Sequence, residues 1–344
     1  MSWYIELINW YLNNKRELPW RDEKNGYLIW VSEVILQQTR VNQGIAYYLR
    51  FIERYPTVES LAEADEHDVL LLWQGLGYYS RARNLHKGAK QIVENFHSSF
   101  HYPPEELMKI RGIGHYTANA IASFTNDYPV PVVDGNVYRV VTRLFGIDDP
   151  VPSEKVRRLI TDILQPVVSQ CKSSIFNQAL MELGALICLP QSPKCFDCPI
   201  HVHCFACKNN QQGFFPVKVK KAKPRHLFIS YLHFVDSEGK TMLYLRKEGT
   251  WKGLYEFPCL QGTNLIDKEE VLSWLKNQNC LIKRMSKKYE TKHQLTHKTI
   301  FAQFWEISLD RLPLFENLIT FDIYFEEIRN YPIHQLMQKY INQL

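Results

Sequence analysis

The sequence predicts two domains of different class, a mainly α N-terminal domain followed by a smaller α+β domain. Three observations lead there. Apolar residues recur at helical spacing through residues 1–205, in segments parted by short loops marked by Pro or Gly. From about Leu227 the pattern changes to apolar and aromatic runs with turn residues between them, as strands require. The 344 residues, 45% of them hydrophobic, are enough for two cores. The change falls in residues 206–226, and residues 208–225 carry six basic groups and no acid. Such a stretch is a solvated interdomain linker or a connector lying along phosphates.

In chain order, the N-terminal MSWYIELINWYLNNK reads as an amphipathic helix. Acids and polar residues interrupt it and no small-residue cleavage site follows, so a signal peptide is not expected. Helical spacing returns in residues 31–38, 44–54, 66–74, 82–96 and 116–124. Pro56-Thr57-Val58-Glu59-Ser60-Leu61 has the form of a capped helix start. In the second domain, residues 227–235 and 242–246 form a predicted β-hairpin about the turn at 236–240. A helix over 267–278 and further strand over 292–309 follow. No apolar run approaches the ~20 residues that span a bilayer, so a cytoplasmic protein is expected. The net charge of +5 permits nucleic-acid binding without requiring it.

Three places carry candidate chemistry. Cys188, Cys195, Cys198 and Cys204 are spaced C-x6-C-x2-C-x5-C, close enough to hold one metal centre. Zinc and an iron–sulfur cluster are the usual occupants of four thiolates. The long first gap favours a looped cluster site over a zinc knuckle. Cys171, Cys207, Cys259 and Cys280 stand outside this spacing. With no secretory segment expected, a disulfide framework is not expected either.

Ile110-Arg111-Gly112-Ile113-Gly114-His115 joins two helical segments. Gly112 and Gly114 permit unusual backbone conformations and leave the next helix's free N–H groups open to a phosphate. An ordinary tight turn reads the same way. Asp134, about 20 residues beyond, caps a helix opening at Asn136 or Val137. At a helix start it is expected to stay ionised with a low pKa. Glu33 lies in Ile29-Trp30-Val31-Ser32-Glu33-Val34-Ile35-Leu36. If buried there, its pKa rises and it can serve as a general acid. By spacing alone, the solvent face of an amphipathic helix is the stronger reading.

Together these segments resemble the helix-hairpin-helix DNA glycosylases that carry an iron–sulfur cluster, and within them the adenine DNA glycosylases of the MutY type. The resemblance covers most of residues 15–205. It rests on Leu18-Pro19-Trp20-Arg21, Ser32 to Thr39 (SEVILQQT), Gly75 to Leu85 (GLGYYSRARNL), the Gly112 hairpin, Asp134-Gly135-Asn136-Val137 and the four cysteines. It implies removal of adenine opposite 8-oxoguanine from double-stranded DNA, with the base extruded from the helix. It further implies a [4Fe-4S] cluster on Cys188, Cys195, Cys198 and Cys204, and a monomer.

By the same resemblance, Glu33 protonates the departing adenine and Asp134 faces the sugar, with Asn136 and Tyr116 around it. Arg21 and Gln178 meet the extruded base. Gln38, Leu76 and Tyr78 fill the helix near the lesion, and Gly112 and Gly114 hold phosphates. The related endonuclease-III glycosylases carry a lysine where this chain has Tyr116. A phenol forms no Schiff base, so base removal without efficient strand cutting is implied.

The second domain resembles a Nudix-like fold through Thr250-Trp251-Lys252-Gly253-Leu254-Tyr255-Glu256-Phe257-Pro258. The G-x5-E…R-E-x-x-E-E hydrolase box does not occur. Gln294-Leu295-Thr296-His297 stands where the family reads 8-oxoguanine with Phe-Ser-His. Thr296 and His297 are implied lesion contacts, and Leu295 replaces the aromatic. The alternatives are an endonuclease-III-like glycosylase/lyase and a protein that senses lesions without catalysis.

Overall fold

The computed structural model describes residues 2–219, 224–295, 297–315 and 319–344. The chain divides into two compact units, residues 1–64 with 84–220, and residues 65–83 with 221–344. Twelve described helices precede the first strand: α1 (Trp3–Asn14), α2 (Gly26–Leu36), α3 (Val41–Arg54), α4 (Val58–Glu63), α5 (Glu66–Leu72), α6 (Ser80–Asn95), α7 (Pro104–Leu107), α8 (His115–Asn126), α9 (Gly135–Phe145), α10 (Glu154–Val168), α11 (Ser173–Leu186) and α12 (Phe205–Lys208). The five spaced segments and the amphipathic N-terminus all fall on helices. Thr57 and Ser60 form a reciprocal cap at the start of α4.

In the first unit, α1, α9, α10 and α11 meet in one core. Val137, Val140, Val141 and Leu144 of α9 lie at helical spacing and pack with Leu7, Ile160, Leu164, Phe176 and Leu180. Helix α2 behaves differently. Nine of its eleven residues are buried, including Ser32 and Glu33. A helix that is apolar on nearly all sides belongs at the centre of a fold. It therefore carries Glu33 inward, and the amphipathic reading of this segment is corrected. Part of the basic stretch also packs on this unit. Val217 O accepts from Val151 N at 2.8 Å, and Phe215 is 4% exposed.

The second unit holds a seven-stranded mixed sheet: β1 (Arg225–Val235), β2 (Lys240–Leu245), β3 (Tyr255–Glu256), β4 (Cys259–Gly262), β5 (Ile282–Gln294), β6 (Lys298–Leu309) and β7 (Thr320–Tyr324). Strands run in the order β3-β2-β1-β6-β5, with β1 parallel to β6 from Arg225↔Lys298 to Val235↔Ser308. Alternation along β1 serves both faces. Ile229 and Tyr231 pack with α14 (Gln335–Ile341), and Leu232 and Phe234 with α13 (Lys268–Asn277).

The predicted hairpin forms as β1 and β2, and Asp267 with Glu270 caps α13 reciprocally. The further strand expected over 292–309 falls on the end of β5 and on β6, which pair antiparallel. Residues 65–83 belong to this unit through contacts such as Tyr79 Oη donating to Ile333 O at 3.1 Å. Among the described residues, no helix is long and apolar enough to cross a membrane.

Candidate active site

A cavity of about 490 Å³ opens in the first unit, within the ~300–1,000 Å³ range of small-ligand clefts. Glu33 from α2, Gln38 from the turn after it, Tyr116 from α8, Asp134 and Asn136 from the start of α9, Gln178 from α11, and Arg21 all line it. Seven of the residues singled out in the sequence thus converge on one cavity. Gln38 sits at φ 61°, a left-handed backbone that a non-glycine residue adopts only under constraint from its surroundings.

Glu33 is 6% exposed. Burial pushes its carboxyl up to about 7, and the negative charge of Asp134 adds to the rise. The Tyr116 hydroxyl donates to Glu33 Oε2 and, with Arg21, opposes it. Tyr116 itself is held well above 10, by burial first and then by the two carboxylates, so it stays a donor. Asp134 caps α9, accepting from Val137 N at 2.7 Å and Asn136 Nδ2 at 2.8 Å. The low pKa expected for Asp134 is not found. Burial outweighs these hydrogen bonds and the nearby Arg139, and the carboxyl sits above its usual value.

Three residues in or beside the site escaped the sequence reading. Arg139 Nη2 donates to Asn136 Oδ1 at 2.7 Å and to Gly184 O at 2.8 Å, while its Nε donates to Cys188 O at 2.7 Å. It thereby fixes Asn136, which fixes Asp134. Gly184 lets α11 approach this point. A Cβ there would lie 2.6 Å from Asn136 Cβ. Gly184→Ala is therefore expected to shift Asn136 and Asp134 and to cut single-turnover rate up to ~100-fold, as ~1 Å misplacements do, while substrate Kd changes little.

Glu182 is the third. It lines the cavity, is 2% exposed, and pairs with Arg16 at 2.8 Å and Arg21 at 2.7 Å. Arg21 Nη1 in turn donates to Gln178 Oε1 at 2.7 Å, and Tyr11 Oη donates to the same oxygen at 3.1 Å. Gln178 and Glu182 stand four residues apart on α11, a spacing that places them on one helix face. Glu182→Ala strands a largely buried guanidinium. It is expected to cost about 3 kcal/mol in urea unfolding and to disorder the Arg21–Gln178 pair.

The remaining predicted residues lie elsewhere. Leu76, Tyr78 and His297 line a second cavity of about 540 Å³ in the second unit, with Trp251 and Leu295. Leu76 is 8% exposed and Tyr78 49%. The Trp251 ring stacks on His334 at 3.9 Å. Thr296 lies outside the described residues. Gly112 takes φ +84°, and a Cβ there would lie 2.8 Å from Asn84 Cβ. Gly114 shows no such demand. Its φ is −97°, and it caps α8 with open space where a side chain would be.

Cys188, Cys195, Cys198 and Cys204 line one small cavity. Arg143 Nη1 donates to Cys188 Sγ at 3.3 Å. Donors aimed at sulfur suit thiolate ligands. Cys207, set apart in the sequence as lacking ligand spacing, lines the same cavity. Among the described residues, no three His, Cys, Asp or Glu side chains are grouped so as to hold a metal ion.

Residues 31–166 match the HhH-GPD superfamily base excision DNA repair protein, and residues 230–343 match the NUDIX domain. An adenine DNA glycosylase of Buchnera aphidicola subsp. Baizongia pistaciae is 35% identical over 321 residues, covering 92% of this chain and 89% of that protein. The chain belongs to the adenine DNA glycosylase family. The rat adenine DNA glycosylase is 43% identical over 216 residues, covering 60% of this chain and 42% of that protein. The fold of a thermostable thymine-DNA glycosylase matches with a TM-score of 0.55 at 23% identity, covering 60% of this chain and 95% of that one. The family's two parts, a helical base-excision domain and a Nudix-like domain, account for the helical first unit and the mixed sheet of the second.

Proposed function

We propose that the chain removes adenine opposite 8-oxoguanine from double-stranded DNA, acting as a monomer, by hydrolysis of the N-glycosidic bond. The observation that carries this reading is one cavity holding two buried carboxyls with different hydrogen-bond settings. Adenine leaves poorly as an anion, so a proton must reach its ring as the bond breaks. Glu33, raised to about 7, holds that proton near neutral pH. Asp134, anchored by Val137 N–H and Asn136, supplies the fixed anion beside the sugar's oxocarbenium-like charge. This is the two-carboxylate logic of glycoside hydrolysis.

Extrusion brings the base within reach. Arg21 and Tyr11 hold Gln178 Oε1, which directs its amide N–H toward an acceptor on the base edge. Gly112, Gly114 and the open start of α8 would receive a phosphate. The helical domain, 1–205, carries the chemistry. The Nudix-like domain, 227–344, reads the lesion with Thr296 and His297, and residues 206–226 connect them. Leu76, Tyr78 and Gln38 are each assigned, by the family resemblance, to contacts that fill the DNA helix near the lesion. Cys188, Cys195, Cys198 and Cys204 would hold a [4Fe-4S] cluster, which when bound crosslinks their loop and takes no part in hydrolysis.

The test is a labelled duplex with adenine opposite 8-oxoguanine. Breaks at the adenine are expected only after hot alkali, because Tyr116 offers no amine for strand cutting. Breaks without alkali favour a lyase, and an unchanged duplex overturns the assignment.

A further inference from the structure

We propose that Asn177 and Asn119 are positioning residues for the reaction, fixing Asp134 relative to Gln178 and Tyr116. The inference rests on the reading that Asp134 faces the sugar. Residues 127–134 join α8 to α9 and form neither helix nor strand. Their backbone polar groups have no ladder, and buried ones need partners from elsewhere. Side chains of α8, α10 and α11 supply them. Ser173 Oγ donates to Tyr128 O and Gln165 Nε2 to Pro129 O, both at 2.7 Å. Asn177 Nδ2 donates to Val130 O and Asn119 Nδ2 to Pro131 O, both at 2.8 Å. Asn177 Oδ1 then accepts from Val132 N at 3.0 Å. Asn177 is fully buried and grips the chain on both sides of Pro131.

Asp134 follows Val132 by two residues. Its own side-chain bonds run to Val137 N and Asn136, both in the first turn of α9. They fix the carboxyl to α9 alone. The grip on residues 130–132 adds two further references. Asn119 stands on α8 three residues after Tyr116, whose hydroxyl donates to Glu33. Asn177 stands on α11 next to Gln178, which lines the cavity. The rings of Pro129 and Pro131 hold φ nearly fixed, so the segment between has little slack to absorb a slip. Removing the Asn177 amide leaves Val130 O and Val132 N without these partners. The segment that delivers Asp134 then loses its register with α11.

The test uses the full chain and measures Kd and single-turnover adenine release against pH. Asn177→Ala should slow release up to ~100-fold, as ~1 Å misplacements do, with Kd little changed. The alkaline limb near 7 should stay in place, because Glu33 is untouched. In an Asp134→Asn chain, adding Asn177→Ala should cost little more, since residues acting through one another are not additive. A near-wild-type rate, a loss confined to Kd, or an equal further loss in the Asp134→Asn chain overturns the proposal. Ile160→Val loosens the same core away from this segment and should keep the wild-type rate. A loss there as large as that of Asn177→Ala makes the effect one of general stability and also overturns it. If Asn177→Ala does not fold, Asn119→Ala decides. It removes the bond to Pro131 O and should slow release several-fold, and an unchanged rate overturns the proposal. A wild-type chain that releases no adenine defeats the assigned activity itself, a result distinct from these.

Discussion

Asp134→Asn is expected to bind the mispaired duplex like wild type and to release adenine at least ~100-fold more slowly, the loss seen when a single electrostatic stabiliser is removed. The substitution is well suited to separating chemistry from folding. Asn is among the preferred helix caps, so the bond to Val137 N–H survives and α9 begins where it did. What disappears is the charge, together with the bond from Asn136 Nδ2, because an amide has one acceptor oxygen and that stays with Val137 N–H. In the ground state that charge is costly, since burial lifts the Asp134 carboxyl above its usual value. In the proposed transition state it would face a developing cation and become favourable. The effect should therefore fall on the rate, with Kd little changed. Wild-type turnover by Asp134→Asn removes this residue from the mechanism.

Glu33→Gln is expected to lower the single-turnover rate by ~10²–10⁴-fold, the usual contribution of a positioned acid or base. The amide keeps the shape of the side chain and still accepts from Tyr116, but it has no acidic proton to give. Folding should suffer little, because near neutrality Glu33 already holds its proton about half the time. The shift has a stability consequence of its own. Between the ordinary carboxyl value and about 7, the folded chain keeps a proton that the unfolded chain has released. Stability is therefore greater at low pH and falls as pH rises through that window. Glu33→Gln should flatten that slope in urea titrations.

Much of this site was legible in the sequence, because the residues proposed for the chemistry sit in short local patterns. Asp134 was readable as a cap, and the cap is there. Glu33 was not readable by spacing. Ser32 and Glu33 look like the solvent stripe of an amphipathic helix, and only the packing of α2 shows that this helix has no solvent side. Glu182 was invisible for another reason. Its partners Arg16 and Arg21 lie more than 160 residues earlier in the chain, and no local pattern joins them.

Cys207 stands in a C-x2-C with Cys204, a spacing that the grouping of four cysteines left aside. In the second unit the first part of β5 was missed because it is charged. It reads Ile282-Lys283-Arg284-Met285-Ser286-Lys287-Lys288 and lies at the end of the sheet order, where charges protect an exposed edge. The resemblance to a known family supplied what periodicity could not, namely a proposed role for each of the two acids.

The division of labour between the two carboxyls is tested most directly by the pH dependence of single-turnover adenine release from a duplex carrying adenine opposite 8-oxoguanine. The rate should fall as pH rises through about 7, as Glu33 loses its proton, and Glu33→Gln should abolish that limb. A wild-type rate that stays level into the alkaline range, or an alkaline limb that survives in Glu33→Gln, would contradict the account.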